Sequence, residues 1–322
     1  MSFWPGKKVL VTGGGGFIGS HLVERLLKNG AQVRVVGKSK HPFRLKDFYE
    51  IEYISADLLK LKNCRKVVKG MDVVFHLASI VAGIGYNISH HSEMFRVNTL
   101  LNGSMIEASR LENVGRYQCT SSTCIYPREA KVPTPETEGF IGDPEPTVLG
   151  YGWAKRVAEI QARLYSKDYG MSISIIRPTN IYGPRDNFDL KTSHVIPALI
   201  KKMLDSNDSV VIWGSGNQTR SFIYVKDVTR AMMDMIEKYA VADSLNIGTE
   251  EEVTIRKLAY LIMKIIGKDL NLLFDTSKPE GQPRKFADIN KAKIRIGWKT
   301  EYPLEVGLKE TIDWSKTNYL DL

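Results

Sequence analysis

Residues 7–19, KKVLVTGGGGFIG, decide the fold. A short apolar, β-branched run (7–12) passes at once into a glycine turn. SHLVERLLKNG (20–30) follows, with Leu22, Leu26 and Leu27 on one face and Gly30 where a helix stops. Gly13, Gly16 and Gly19 therefore stand between a strand and a helix. Glycine there lets the backbone turn sharply and approach a pyrophosphate, whose charge the helix N-terminus stabilises. Such a unit predicts dinucleotide binding.

Working outward, QVRVVG (32–37), MDVVFHLA (71–78), GRYQCTSS (115–122) and ISIIRPTNIYGP (173–184) read as further strands, each bounded by turn residues. Helical patterns precede residue 71 and fill 92–113 and 150–170. Strands alternating with helices predict βαβ units and a doubly wound parallel sheet covered on both faces, an α/β fold of the Rossmann type. After Gly183 the rhythm changes to a polar loop, a helix (194–205), a short strand (209–214), a sheet strand (244–248) and two more helices (254–266 and near 303–316). The expected organisation is a dinucleotide-binding domain over 1–180, to which 222–248 returns. A smaller α/β substrate domain over 181–322 is interleaved with it.

Composition bounds the partners. The chain has 322 residues, 43% hydrophobic and 25% charged, a globular balance. Its net charge of +9 favours acidic partners, but the basic residues are scattered without a nucleic-acid-binding motif, so a nucleotide-sized ligand is expected and nucleic acid is not. Three cysteines exclude a disulfide scaffold and suit a reducing compartment; Cys64 and Cys119 read as core or surface. No metal-ligand spacing occurs, no apolar run is long enough to span a membrane, and no leader precedes the first strand. A cytoplasmic protein is the expectation.

NAD binders usually place an acid at the end of the second strand, ~20 residues past the glycines, to bond the ribose hydroxyls. Here the strand ends at Val36–Gly37 and no acid occurs between Gly30 and Lys46. Arg34, Lys38, Lys40, Arg44 and Lys46 occupy the window and can pair with a 2′-phosphate, which leans the reading to NADP(H) over NAD(H). Tyr151 and Lys155, four apart on a predicted helix, share a face. A phenol with its ordinary pKa near ~10 is a poor acid/base at neutral pH, and an ammonium neighbour favours the phenolate. Ser121–Ser122–Thr123 ends the preceding strand, where a hydroxyl can meet a substrate carbonyl.

GGGGFIG, SSTCIYP (121–127), YGWAK (151–155) and RPTNIYGP (177–184), in this order and spacing, resemble the extended short-chain dehydrogenase/reductases acting on sugar nucleotides, the NAD-dependent epimerase/dehydratase family. The resemblance spans nearly the whole chain and implies hydride chemistry at a sugar carbon. By it, Tyr151 is the proton donor or acceptor, Lys155 holds the nicotinamide ribose and lowers the tyrosine pKa, and Ser122 orients the sugar oxygen. Gly13, Gly16, Phe17, Ile18 and Gly19, then Lys38, Asp57, Leu58, Leu77, Ala78 and Pro178, fall where that family lines its cofactor.

The residues after Ser122 divide the family. Its dehydratases place an Asp–Glu pair there; this chain has Thr123–Cys124, so dehydration is not expected. The segment resembles the GDP-fucose synthase and GDP-mannose 3,5-epimerase branches, in which the cysteine is an epimerising acid/base. Long stretches of the second half (186–203, 210–222 and 277–298) resemble the fucose-synthase branch. That likeness makes His194 the partner of Cys124, puts Asn180, Val195, Trp213 and Arg220 around a GDP-sugar, and brings Lys285 to its phosphates. GIGYNISHHS (83–92) leans to the 3,5-epimerases, which carry a lysine where this chain has His194.

The glycine loop departs as well. Gly15 stands where the synthases carry a basic residue that helps select NADP, so the loop points to NAD while the second strand points to NADP. The expected activity is 3,5-epimerisation and 4-keto reduction of a GDP-4-keto sugar by a homodimer paired through the helices at 92–113 and 150–170. The alternatives are an epimerase or C4 dehydrogenase with tightly bound NAD, and a non-enzymatic dinucleotide sensor on the same fold.

Overall fold

The computed structural model describes residues 3–40, 43–45, 48–279 and 281–318. In chain order, its first half runs β1 (Lys8–Thr12), α1 (Phe17–Lys28), β2 (Gln32–Gly37), β3 (Glu52–Ser55), α2 (Leu61–Val68), β4 (Val73–His76), α3 (Ile84–Ser89), α4 (His91–Leu111), β5 (Arg116–Thr120), α5 (Leu149–Tyr169) and β6 (Ser172–Pro178). With β11 (Val241–Ile247) these strands build one seven-stranded sheet in the order β11-β6-β5-β4-β1-β2-β3, every pairing parallel. The inner strands are buried almost end to end, as a sheet covered on both faces requires. One face packs under α1 through Leu22, Val23 and Leu26, the other under α2, α4 and α5 through Val67, Met105 and Ala158. The chain leaves β1 toward β2 on one side and returns to β4 on the other, so a crevice opens between β1 and β4 at the carboxyl edge.

The helix stop expected at Gly30 is there. Gly30 adopts φ +80°, and the amides of Gly30 and Ala31 bond back to the carbonyls of Leu27 and Leu26.

The second half runs β7 (Asn180–Tyr182), α6 (Val195–Asp205), β8 (Ser209–Trp213), β9 (Thr219–Arg220), β10 (Phe222–Tyr224), α7 (Val225–Lys238), β11, β12 (Val253–Thr254), α8 (Ile255–Ile266), β13 (Asn271–Asp275), β14 (Arg284–Lys285), α9 (Asn290–Ile296) and α10 (Leu304–Thr317). Three small sheets result: β10-β7, β12-β9-β14 and β13-β8. A third apolar core, with Ile196, Leu199 and Met203 of α6 against Leu258 and Ile262 of α8, holds them together. The single strand expected over 173–184 is two. Thr179 bonds its amide to Ile247 at the sheet edge, and from Asn180 the chain pairs instead with β10.

Candidate active site

The cofactor cradle is built at the carboxyl ends of β1, β2 and β4. Gly13 holds φ +67°, and a Cβ there would sit 2.9 Å from the Ala78 amide nitrogen; a Cβ on Gly19 would sit 2.3 Å from the Gly13 carbonyl oxygen. Only glycine lets loop, helix and β4 close up this far. Gly16 caps α1 with an extended backbone and Phe17 and Ile18 open the helix, so its first amides face the crevice. Thr12 clamps the opposite wall: its Oγ1 accepts from the Leu77 and Ala78 amides (3.1 Å each) and lies 2.8 Å from Nδ1 of His76. With both lone pairs engaged, the hydroxyl proton goes to Nδ1, and His76 carries its own proton on Nε2. Asp57 holds the Leu59 amide at 3.1 Å beside buried Leu58, and Pro178 ends β6. A glycine loop whose close approaches admit no side chain, and a helix N-terminus with its amides open, fit a dinucleotide pyrophosphate.

The basic window of β2 divides. Lys38 and Lys40 are exposed just past the strand end. Arg34 instead turns to Glu52 (2.7 Å) and the carbonyls of Val67 and Lys69, and Arg44 binds the carbonyls of Arg185 and Asp186. Neither is aimed at a 2′-phosphate. Lys46 lies outside the described residues.

Across the crevice, β5 delivers Ser122 and Cys124 and α5 delivers Tyr151 and Lys155. Ser122 Oγ accepts from the Cys124 amide (3.1 Å), capping a short 3-10 turn and leaving its proton free to donate. Lys155 Nζ donates to the Thr120 carbonyl (2.8 Å) and lies 5.3 Å from the Tyr151 ring centre. Burial draws Lys155 down to about 8. Burial also pushes the Tyr151 phenol up, and the nearby Cys124 sulfur adds to it. The direction is opposite to the lowering expected from Lys155, with burial as its first cause.

Cys124 is half-buried and free. Lys285, on β14, brings its Nζ to 3.6 Å from Sγ. His194 caps α6 with an exposed side chain. Desolvation by the surrounding protein, and then the charge of Lys285, hold its imidazole below the ordinary histidine range. Trp213 ends β8, 44% exposed, with Gly85 of α3 against its ring and the Lys278 ammonium over it. Asn180 donates to the Ser221 carbonyl (2.8 Å), Val195 opens α6, and Arg220 Nη1 donates to the carbonyls of Thr219 and Gln282. Cys64 and Cys119 are buried with thiols pushed up to about 12, inert core as the sequence allowed. Among the described residues no cluster of three or more His, Cys, Asp or Glu side chains is arranged to hold a metal, and no helix is long and apolar enough to cross a membrane.

The glycine loop follows β1, Ser122 follows β5, and Tyr151 and Lys155 stand in the first turns of α5. The profile of the NAD dependent epimerase/dehydratase family matches residues 9–248. The chain belongs to that family. It is 32% identical to a GDP-L-fucose synthase of Sinorhizobium fredii over 325 residues, covering 100% of this chain and 99% of the other. It is also 32% identical to GDP-mannose 3,5-epimerase 1 of Oryza sativa subsp. japonica, covering 98% of this chain and 83% of the other. The UDP-glucose 4-epimerase of Thermotoga maritima, solved with UDP-glucose, superimposes with a TM-score of 0.89 at 28% identity, covering 97% and 99% of the two chains. This is an NAD(P)-dependent enzyme of the sugar-nucleotide epimerase/reductase type.

The site is bordered by residues the motifs did not reveal. Ser79, which acts on the Tyr151 hydroxyl, donates to Asn98 Oδ1 (2.7 Å), which also accepts from the Ile80 amide (2.8 Å). Asn98 thereby fixes the loop after β4 against α4. Its signal was readable: Asn98 and Asn102 interrupt the apolar face of Met94, Val97, Leu101 and Met105, where asparagine is a poor helix former. His194 has a less visible support. Gly83 packs its Cα against the Ser193 carbonyl, with room for no Cβ, and bonds its amide to Thr192 (3.0 Å). The start of α3 therefore anchors the residues that present His194.

Proposed function

We propose that this enzyme inverts C3 and C5 and reduces the C4 ketone of a GDP-4-keto sugar, using NADPH. The observation that carries the reading is Cys124, two residues past Ser122, facing the same cleft as Tyr151 with Lys285 at its sulfur. A carboxylate pair for dehydration is missing from that position.

The chemistry follows from the groups present. A C4 ketone acidifies the hydrogens at C3 and C5. Ser122 donates to the ketone oxygen and spreads the charge that develops there. Cys124 on one face and His194 on the other exchange protons with those carbons, one removing and one replacing, which inverts each centre. A thiol and an imidazole have ordinary pKa values near ~8.5 and ~6.5 and suit that exchange at neutral pH. NADPH bound in the cradle supplies the hydride for C4. Tyr151, kept protonated by its burial, donates to the oxygen at the same time. Lys155 remains cationic below about pH 8 and holds the ribose hydroxyls.

The finer assignments belong to the same proposal. Gly13, Gly16, Phe17, Ile18, Gly19, Lys38, Asp57, Leu58, Leu77, Ala78 and Pro178 hold the dinucleotide. Asn180, Val195, Trp213 and Arg220 line the sugar-nucleotide cleft between a cofactor lobe and a smaller substrate lobe. Exposed Phe95 and Leu100 on α4 and Trp153, Ile160 and Leu164 on α5 support a homodimer through these helices. A cytoplasmic setting suits the free cysteines and the cofactor.

A second reading has its own support. Gly15, without a basic side chain, favours a resident NAD that oxidises C4 and returns the hydride after epimerisation. Denaturing the purified protein and identifying the released dinucleotide by absorbance and mass separates the two. Little bound cofactor, with NADPH binding on addition, supports the reductase. Near-stoichiometric NAD or NADH contradicts it and favours the recycling enzyme.

A further inference from the structure

We infer that Lys285 belongs to the epimerising group as the charge partner of Cys124 and is not primarily a phosphate ligand. The inference rests on the proposed reading of Cys124 as a catalytic acid/base.

Among the described residues, Cys124 Sγ, at 3.6 Å, is the one hydrogen-bond partner of the Lys285 ammonium. The contact is built from both sides. The arm that carries Lys285 is stitched to the loop that carries Cys124 by Gln282 Nε2 donating to the Pro127 carbonyl (3.1 Å) and by the Thr134 amide donating to the Phe286 carbonyl (2.8 Å). Asn246, buried on β11, locks the junction: its Nδ2 donates to the carbonyls of Thr134 (3.0 Å) and Asp288 (2.9 Å), and its Oδ1 accepts from Tyr126 Oη (2.5 Å). The Tyr126 hydroxyl in turn accepts from Arg177, whose guanidinium is buried against Glu159. A lysine meant to follow a mobile diphosphate does not need its backbone fixed against a thiol by a buried network. One meant to keep a set distance from sulfur does.

The ammonium lies beside the sulfur, where negative charge resides when that atom serves as a base toward carbon. Burial first, and then the same ammonium, lower the His194 imidazole. Lys155 is the other cation near the sulfur, and the Tyr151 phenol is the acidic group that shares its field. In one inversion the sulfur takes the C–H proton and becomes a thiol, and the electron pair moves onto the ketone oxygen. A solvent proton then reaches the opposite face of the carbon through His194, and the thiol returns its proton to water. Lys285 keeps its proton throughout.

The test uses the full-length protein as wild type, Lys285→Met and Lys285→Arg. Cys124 is the one thiol here that is not deeply buried, so iodoacetamide at pH 7 reports its nucleophilicity without any sugar present. We expect Lys285→Met to slow this alkylation about tenfold and Lys285→Arg to recover most of it. With GDP-4-keto-6-deoxymannose in D2O, Lys285→Met should lower kcat for exchange at C3 and C5 by roughly tenfold or more, with KM changed less. An alkylation rate within about twofold of wild type overturns the inference, as does a raised KM with an unchanged exchange kcat, the signature of a phosphate ligand. Absence of exchange in the wild type would sink the epimerase reading instead, and the alkylation arm would still decide the Lys285–Cys124 partnership.

Discussion

Tyr151 and Lys155 show how enclosure would set the working state of the proposed catalytic pair. The phenol is pushed up and the ammonium drawn down to about 8, both chiefly by burial. At neutral pH this leaves a proton on each, as donation to a ketone oxygen requires. Tyr151→Phe should therefore cut ketone reduction by about 10²–10⁴-fold while dinucleotide binding by fluorescence titration persists. Lys155 gives the pH dependence its sign. Its positive charge is present below about 8 and lost above it, so kcat/KM for reduction should fall as pH rises through that value. A profile flat to pH 10 would show that Lys155 keeps its charge and that burial does not govern it.

Among the elements, the buried ion pair of Arg177 on β6 with Glu159 on α5 does more than join strand to helix. Glu159 accepts from Arg177 Nε and Nη2 (2.7 Å each) and from Ser121 Oγ (2.5 Å), which fixes the residue before Ser122. Both partners are fully buried. Removing the carboxylate strands a cation, so Glu159→Gln should cost ~3–5 kcal/mol in urea unfolding. A loss below ~1 kcal/mol would mean that water reaches Arg177.

At this scale the sequence was legible wherever periodicity was strong. The strand–glycine–helix unit, the helices at 149–169 and 255–266, and the carboxyl-edge residues Gly13, Ala78, Ser122 and Pro178 lie where motif and pattern put them. The edge strand β3, with exposed ends, and the two- and three-residue strands β7, β9, β10, β12 and β14 have no room for a period. Arg34 and Arg44 misled for a related reason. Charge counted along a strand does not show which end a side chain serves, and their partners come from β3, α2 and residues 185–186.

For the whole molecule, buried titratable groups set the response to acid. His21 and His76 are held to about 3 by burial, so between pH 6.5 and 3 the unfolded chain takes up two protons that the folded chain refuses. Asp186, pushed up to about 7, opposes by one, because between 3.8 and 7 the folded chain keeps a proton that the unfolded chain has lost. These three groups together leave one proton, a contribution of about 1.4 kcal/mol lost per pH unit on acidification from 6 to 4.5. Asp186→Asn should steepen the measured slope by about 1.4 kcal/mol per pH unit in urea titrations; an unchanged slope would refute the assignment. Ile160→Glu with Leu164→Glu should convert a dimer to a monomer in light scattering, because both stand outward on α5. A persistent dimer would place its interface elsewhere.

In the proposed reaction, Cys124 and His194 exchange protons at C3 and C5 before the ketone is reduced. It is tested most directly by incubating the enzyme with GDP-4-keto-6-deoxymannose and NADPH in D2O and reading the product by NMR. The expected product carries deuterium at both C3 and C5 with NADPH consumed, and Cys124→Ser should give reduced sugar without deuterium at these carbons. Product free of deuterium at C3 and C5 from the wild-type enzyme would contradict it.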